Sequence, residues 1–303
     1  MIRPLHVGDL ARLFWMSGRL SGNQAAPRDA VFTRRGKNLR WVLLRRWFSP
    51  GDTMRGWVCM EEGQFRGVVS AHDRSSPLAW EVDLLLFGSL SYECASSLLE
   101  ALSNAAAEQG VLKVFLRLPQ DSPVIKVAMQ AEFCPYGEEK LYRAKGPSFP
   151  RAKPIYDFQS WSEEQDAQNL FHLYCQNVPA TVRSAEGMTF EEWKVSREPA
   201  VGRSQQFSCY QENEFVGWVR ASKFGRKGNV ELLARPAHRE DLLAFGMGRL
   251  HRRSSIVCLV PSFQTDLAAI LERHKFEPRG NFTTLMKQTT SRVREPQLAP
   301  LRA

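Results

Sequence analysis

The chain has 303 residues, with Lys+Arg 41 against Asp+Glu 32 and a formal net charge of +9. Its hydrophobic residues (43%, with Phe 18 and Trp 8) suffice for packed cores, which excludes an intrinsically disordered chain. No apolar run reaches the ~20 residues of a membrane helix. The first ten residues lack the apolar block of a signal peptide, so a cytoplasmic protein is expected.

An opening strand over Ile2, Arg3, Pro4 and Leu5 leads into a helix over residues 9–20. The basic stretch 34–48 follows, with Trp41 and Trp47 among arginines. It reads as an amphipathic helix that turns its tryptophans inward and its arginines to solvent. A grip on nucleic acid by phosphate contact and stacking, or on an acidic membrane surface, is the alternative reading of the same residues. Nucleic acid is not the expected partner. Strands at 56–60 and 65–71 flank Glu61-Glu62-Gly63-Gln64, a hairpin turn in which Gly63 suits a positive φ. A strand over 80–86, a helix over 94–108, a strand over 112–118, a helix over 123–131 and a strand over 139–144 complete the first part.

Residues 146–154 contain Pro147, Pro150 and Pro154, which preclude a helix and mark a linker. The same order then recurs. Helices are predicted over 163–176 and 189–197, the second opened by Thr189 with Glu192 three residues on, a capping-box pattern. A hairpin over 206–221 turns at Asn213, and a strand follows over 228–234. A helix over 241–252, a strand over 256–260, a helix over 266–274 and a strand over 282–287 close the series. The end, 291–303, is polar and reads as a frayed tail.

The recurrence is also visible residue by residue. Cys59/Cys209, Glu62/Glu212, Phe65/Phe215, Gly67/Gly217, Val69/Val219 and Ala71/Ala221 are identical pairs at one constant offset of roughly 150 residues. Phe133-Cys134-Pro135-Tyr136-Gly137 aligns with Phe276-Glu277-Pro278-Arg279-Gly280 at a slightly shorter offset. Two globular copies are implied: 1–146, a linker 147–154, 155–290, and a tail 291–303. Each copy is a mixed α/β unit in which an antiparallel half feeds a βαβ half.

The six cysteines form no CxxC pair, and the six histidines form no HxH or HExxH spacing. Buried free thiols and no metal site are therefore expected.

The run Val114-Phe115-Leu116-Arg117-Leu118-Pro119, then Ala131-Glu132-Phe133, then Glu139-Lys140-Leu141-Tyr142-Arg143, resembles a known family. These segments are similar to the strand, the "GF" turn and the closing strand of the GCN5-related N-acetyltransferase (GNAT) superfamily. The opening Ile2-Arg3-Pro4-Leu5 with Asp9-Leu10 is similar to its first strand and helix start. The resemblance covers nearly the whole chain, twice. The fold class it implies is a tandem duplication of the GNAT-like acyl-CoA N-acyltransferase fold.

The resemblance implies acyl transfer from acetyl-CoA, or another acyl-CoA, to an amine of a small molecule or peptide, by a monomer or homodimer. The coenzyme A pyrophosphate then needs N–H groups at a helix N-terminus. In the first copy this places Leu85, Leu86, Ser91, Tyr92, Cys94, Ala95 and Ser96 along the cofactor. In the second copy it places Arg239 there. Both loops depart from the family's glycine-rich pattern, and Glu93 sets a carboxylate where a phosphate is expected.

The family's tyrosine acid would fall at Ala128 and Leu271, so Tyr136 or Tyr142 is the nearby substitute, with Tyr136 the candidate. Glu81 and Asp83 lie two apart on one strand and share a face, the family's usual place for a general base. These features point to the first copy as the active one. A catalytically silent tandem module that binds a ligand or macromolecule is the alternative.

Overall fold

The computed structural model describes residues 1–6, 8–9, 22–33, 55–88, 92–146, 149, 153, 155–250 and 253–289. The basic stretch 34–48, Ser91, the tail 291–303, most of the linker and most of the predicted helix 9–20 lie outside the described residues.

The N-terminal half contributes β1 (Ile2–Pro4), α1 (Arg28–Thr33), β2 (Arg55–Glu61), β3 (Gln64–Asp73), β4 (Ala79–Phe87), α2 (Tyr92–Glu108), β5 (Lys113–Pro119), α3 (Val124–Gln130) and β6 (Cys134–Ala144). The C-terminal half contributes β7 (Asp157–Ser160), α4 (Glu163–Asn177), α5 (Ala180–Glu186), α6 (Phe190–Ser196), β8 (Arg203–Gln211), β9 (Glu214–Phe224) and β10 (Lys227–Ala234). A 3-10 turn (Pro236–His238), α7 (Arg239–Arg249), β11 (Ser255–Pro261), α8 (Thr265–Arg273) and β12 (Glu277–Gln288) complete it. No helix among the described residues is long and apolar enough to cross a membrane.

The predicted hairpins form with two-residue turns that need positive φ at both positions. Glu62 and Gly63 lie at φ 49° and 74°, and Glu212 and Asn213 at φ 50° and 65°. Thr189 caps α6, its side chain accepting from the Glu192 N–H at 3.3 Å. The helix α5 has no counterpart in the sequence reading.

The two halves do not build separate sheets. All twelve strands form one sheet in the order β1-β2-β3-β4-β5-β12-β6-β11-β10-β9-β8-β7. The last strand of each half crosses to the other: β12 pairs with β5 (Leu285 opposite Leu116), and β6 pairs with β11 (Leu141 opposite Leu259). The exchanged strands also pair with each other, so the seam leaves no open edge. Each enters through the repeated F-x-P-x-G. Pro135 and Pro278 sit at the two register breaks of the β6–β12 ladder, where a residue without an N–H is tolerated.

One face of the sheet carries α2 and α3 over Val69, Leu85, Val114 and Leu116, and α7 and α8 over Val219, Leu232 and Cys258. The repeated glycines fix how closely these helices approach. A Cβ on Gly67 would lie 2.7 Å from Cys94 Sγ, and one on Gly217 would lie 2.5 Å from Leu242 Cδ2 and 2.8 Å from Ala234 Cβ. Gly217→Ala is expected to cost about 1–3 kcal/mol by overpacking, read as a lower urea midpoint at unchanged slope.

Candidate active site

In each half the central parallel pair opens like a V. β4 and β5 pair only from Ala79/Lys113 to Glu81/Phe115, and β10 and β11 only from Lys227/Ser255 to Asn229/Val257. Beyond these points the strands diverge and leave a gap.

In the N-terminal half the chain fills its own gap. Asn23 Nδ2 donates to Asp83 O at 2.8 Å, and Asn23 Oδ1 accepts from the Leu85 N–H at 2.9 Å. The Gln24 N–H donates to Leu85 O at 3.0 Å, and the Ala26 N–H donates to Arg117 O at 2.8 Å. Ala25 is buried in the core between them. Both main-chain groups of Leu85 are thereby used. Cys94 and Ala95 are buried in the same core and Leu86 is buried too, whereas Tyr92 and Glu93 are exposed at the start of α2. Ser96 bonds within its own helix, to Glu100 at 3.3 Å.

In the C-terminal half the gap ends in a cavity of about 330 Å³. Its walls come from both halves. β10 supplies Glu231 and Leu233, α4 to α6 supply Tyr174, Glu186 and Trp193, and the exchanged β6 supplies Tyr136. Leu170, Val178, Val182 and Phe263 make much of the wall apolar.

Most charges around the cavity are matched. Glu198 accepts from Arg117 at 2.5 Å and from Arg74 at 3.3 Å, and pairs with Arg28. Glu231 pairs with Arg220 at 2.5 Å and with Arg28. Glu81 lies 3.2 Å from Arg117 and 3.6 Å from Arg74, and Glu139 lies 2.6 Å from Arg117. Arg28, Arg74, Arg117 and Arg220 thus balance Glu81, Glu139, Glu198 and Glu231 across the seam. Burial opposes ionisation of Glu198, but Arg117, Arg28 and Arg74 outweigh it and hold its carboxyl well below the usual range.

Glu186 differs. Its side chain accepts from a hydroxyl, Tyr174 Oη, at 3.1 Å. Burial, with a further push from Glu198, raises its carboxyl to about 7 against the opposing pull of Arg74 and Tyr174. That is the range of a general base at neutral pH. Tyr136 meets Phe115 edge-on, and burial pushes its hydroxyl above the ordinary tyrosine range.

The structure therefore brings Tyr136 into the cavity wall and places Glu81 and Asp83 outside that wall. Burial and Glu198 raise the Glu81 carboxyl, although Arg74 and Arg117 oppose this. Asp83 accepts from Ser70 Oγ at 2.8 Å and faces His72 at 3.8 Å. Burial disfavours the His72 charge, but Asp83 more than compensates and lifts it to about 9. Glu186, Tyr174 and Trp193 were missed in the sequence. Pro179 before the short helix and Gly187 after it were the available signal for α5.

Coenzyme A does not fit the N-terminal gap, because Asn23–Ala26 occupy it. At the inner end of the C-terminal gap the cavity opens beside Leu233. At the outer end Arg239 folds inward, Nε donating to Ala234 O at 3.1 Å, and it also pairs with Asp266. Glu240 and Asp241 supply negative charge to the first turn of α7. Glu240 is held by His274 at 3.0 Å and Arg273 at 3.2 Å, and Asp241 by Lys153 at 3.3 Å. No cluster of His, Cys, Asp or Glu among the described residues could hold a metal ion.

No protein-family model matches the sequence, and no curated protein matches it. Solved structures do match. A GCN5-related N-acetyltransferase from Sphaerobacter thermophilus is 12% identical with a TM-score of 0.57, over 95% of each chain. A tandem GNAT protein from the clavulanic acid biosynthesis pathway is 13% identical with a TM-score of 0.54, over 96% of this chain and 99% of that one. A conserved protein of unknown function from Staphylococcus epidermidis is 10% identical with a TM-score of 0.51, over 81% of this chain and 97% of that one. The two diverging strand pairs, the repeated element order and these likenesses establish that the chain carries the GCN5-related N-acetyltransferase fold in tandem.

Proposed function

We propose that the C-terminal half transfers an acyl group from an acyl-CoA, with acetyl-CoA the first donor to try, to the amine of a small molecule. The N-terminal half acts as its structural partner. The observation that carries this reading is Glu186, a carboxyl near neutral proton affinity in the wall of the cavity where the C-terminal gap ends.

In the proposed step the acceptor ammonium gives a proton to Glu186. The freed amine attacks the thioester carbonyl carbon, the C–N bond forms, the C–S bond breaks and the thiolate leaves, and the second proton shed by the nitrogen replaces the one given to sulfur. Tyr136, kept protonated by burial, is the hydroxyl available to return a proton to sulfur. Glu81 acts at one remove. It pairs with Arg74, and the charge of Arg74 bears on Glu186.

A module that binds a ligand without turnover is the second reading. The carboxylates Glu240 and Asp241 at the phosphate end of the gap favour it. Titration calorimetry with acetyl-CoA separates the two. One site per chain is expected, because the N-terminal gap is filled. No heat at about millimolar acetyl-CoA, a binding free energy weaker than roughly −4 kcal/mol, overturns the transferase reading.

A further inference from the structure

The wall of the C-terminal cavity also says which amine it takes. Glu198, Glu231 and Glu139 are each committed to arginines. Glu138 is exposed and accepts from Gln120 at 3.2 Å. Among the described residues this leaves Glu186 as the wall carboxylate whose side-chain hydrogen bond comes from a neutral group, the Tyr174 hydroxyl. One ammonium can therefore be matched inside.

A second ammonium would find Glu198 and Glu231 already matched to Arg28, Arg74, Arg117 and Arg220. A charge left unmatched in a site of low polarity is costly. The remainder of the wall is apolar and aromatic, with Leu170, Val178, Val182, Leu233, Phe263 and Trp193. At about 330 Å³ the cavity sits at the small end of the ~300–1,000 Å³ of small-molecule sites. An aromatic or branched aliphatic body fills such a space and gains from leaving water.

Resting on the reading of Glu186 as proton acceptor, we infer that the acceptor is a small monoamine with an apolar body. Polyamines, amino sugars and lysine-rich peptides are excluded by the same wall.

The test is titration calorimetry of the full-length protein with phenethylamine and, separately, with spermidine, near pH 7 in two buffers of different ionisation enthalpy. Phenethylamine is expected to bind at one site, at least about tenfold more tightly than spermidine, a gap of roughly 1.4 kcal/mol. Its heat is expected to depend on the buffer, because an ammonium at Glu186 displaces the fraction of a proton the carboxyl holds near pH 7. Glu186→Gln is expected to weaken binding about tenfold and to abolish the buffer dependence. Glu186→Asp, which keeps the charge, is expected to restore part of both. Spermidine binding as tightly as phenethylamine, or no binding of either, overturns the inference. So does an unchanged phenethylamine affinity in a folded Glu186→Gln protein.

Turnover is read separately. Phenethylamine binding without acyl transfer supports the inference and removes the transferase reading. Acyl transfer to spermidine but not to phenethylamine overturns the inference and keeps the transferase.

Discussion

Glu186→Gln is expected to lower acyl transfer by ~10²–10⁴-fold, the range for losing a general base. The substitution keeps size and shape and removes only the ability to take a proton. The wild-type rate is expected to rise with pH up to about 7, where the Glu186 carboxyl titrates, and then to level. The variant should lose that limb.

A second readout needs no turnover. The Glu186 carboxyl is raised in the folded protein from an unfolded value of ~4.3. Between the two values the folded state binds more protons than the unfolded state. Stability contributed by this group therefore falls as pH rises through that window, and the fall ends above about 7. Denaturant midpoints between pH 5 and 8 should show this slope in the wild type and a shallower one in Glu186→Gln. An identical slope in both proteins would remove Glu186 as the titrating group, whatever the activity.

Glu198→Ala is expected to destabilise the folded protein by about 3–5 kcal/mol, the usual cost of leaving buried partners of an ion pair uncompensated. Three arginines of the N-terminal half, Arg28, Arg74 and Arg117, converge on this one carboxylate of the C-terminal half. The main chain joins the halves at the same place. Arg74 Nη1 donates to Ser196 O at 2.9 Å, and Ser75 Oγ donates to Arg197 O at 2.7 Å.

The carboxyl of Glu198 is depressed, so its contribution is fully present above the unfolded value of ~4.3 and is lost as pH falls towards the folded one. The wild type should lose stability in acid more steeply than Glu198→Gln. Because the partners are shared, Glu198 and Arg117 substitutions should not add, with a coupling of about 0.5–3 kcal/mol in a double-mutant cycle. Simple additivity would mean that the pair is not an interlock.

The local elements were legible because short-range rules decide them. Gly63 and Asn213 announced turns that require positive φ, and Thr189 with Glu192 announced a helix start. The paired segments around Gly67 and Gly217 announced a duplication, and both glycines proved to be contact points between helix and sheet. Pro135 and Pro278 were visible as equivalent residues. Their place at the breaks of an exchanged ladder was not, because pairing partners are chosen across the whole chain.

The candidate site shows the same division. Tyr136 was singled out from the sequence by its nearness to an expected tyrosine, and it lines the cavity because β6 crosses into the other half. The Glu81 and Asp83 pair was recognised by its spacing on a strand. Spacing does not say which arginines will arrive opposite, and Arg74 and Arg117 come from other strands and loops. Nor does it say that Asn23 will close the neighbouring gap from some sixty residues away, a contact made only once β4 and β5 have diverged.

By itself, then, the sequence determined a twice-repeated α/β unit, its turns and caps, and the absence of glycines from the loops where the family resemblance expects them. These follow from backbone sterics and hydrophobic period, which act over a few residues. The tertiary structure alone decided that the two units share one sheet and that the first gap is filled. It also decided that a carboxylate on an unpredicted short helix stands in the cavity of the second. Those outcomes depend on burial and on charges meeting across long separations, where desolvation sets the protonation of Glu186 and three arginines set that of Glu198.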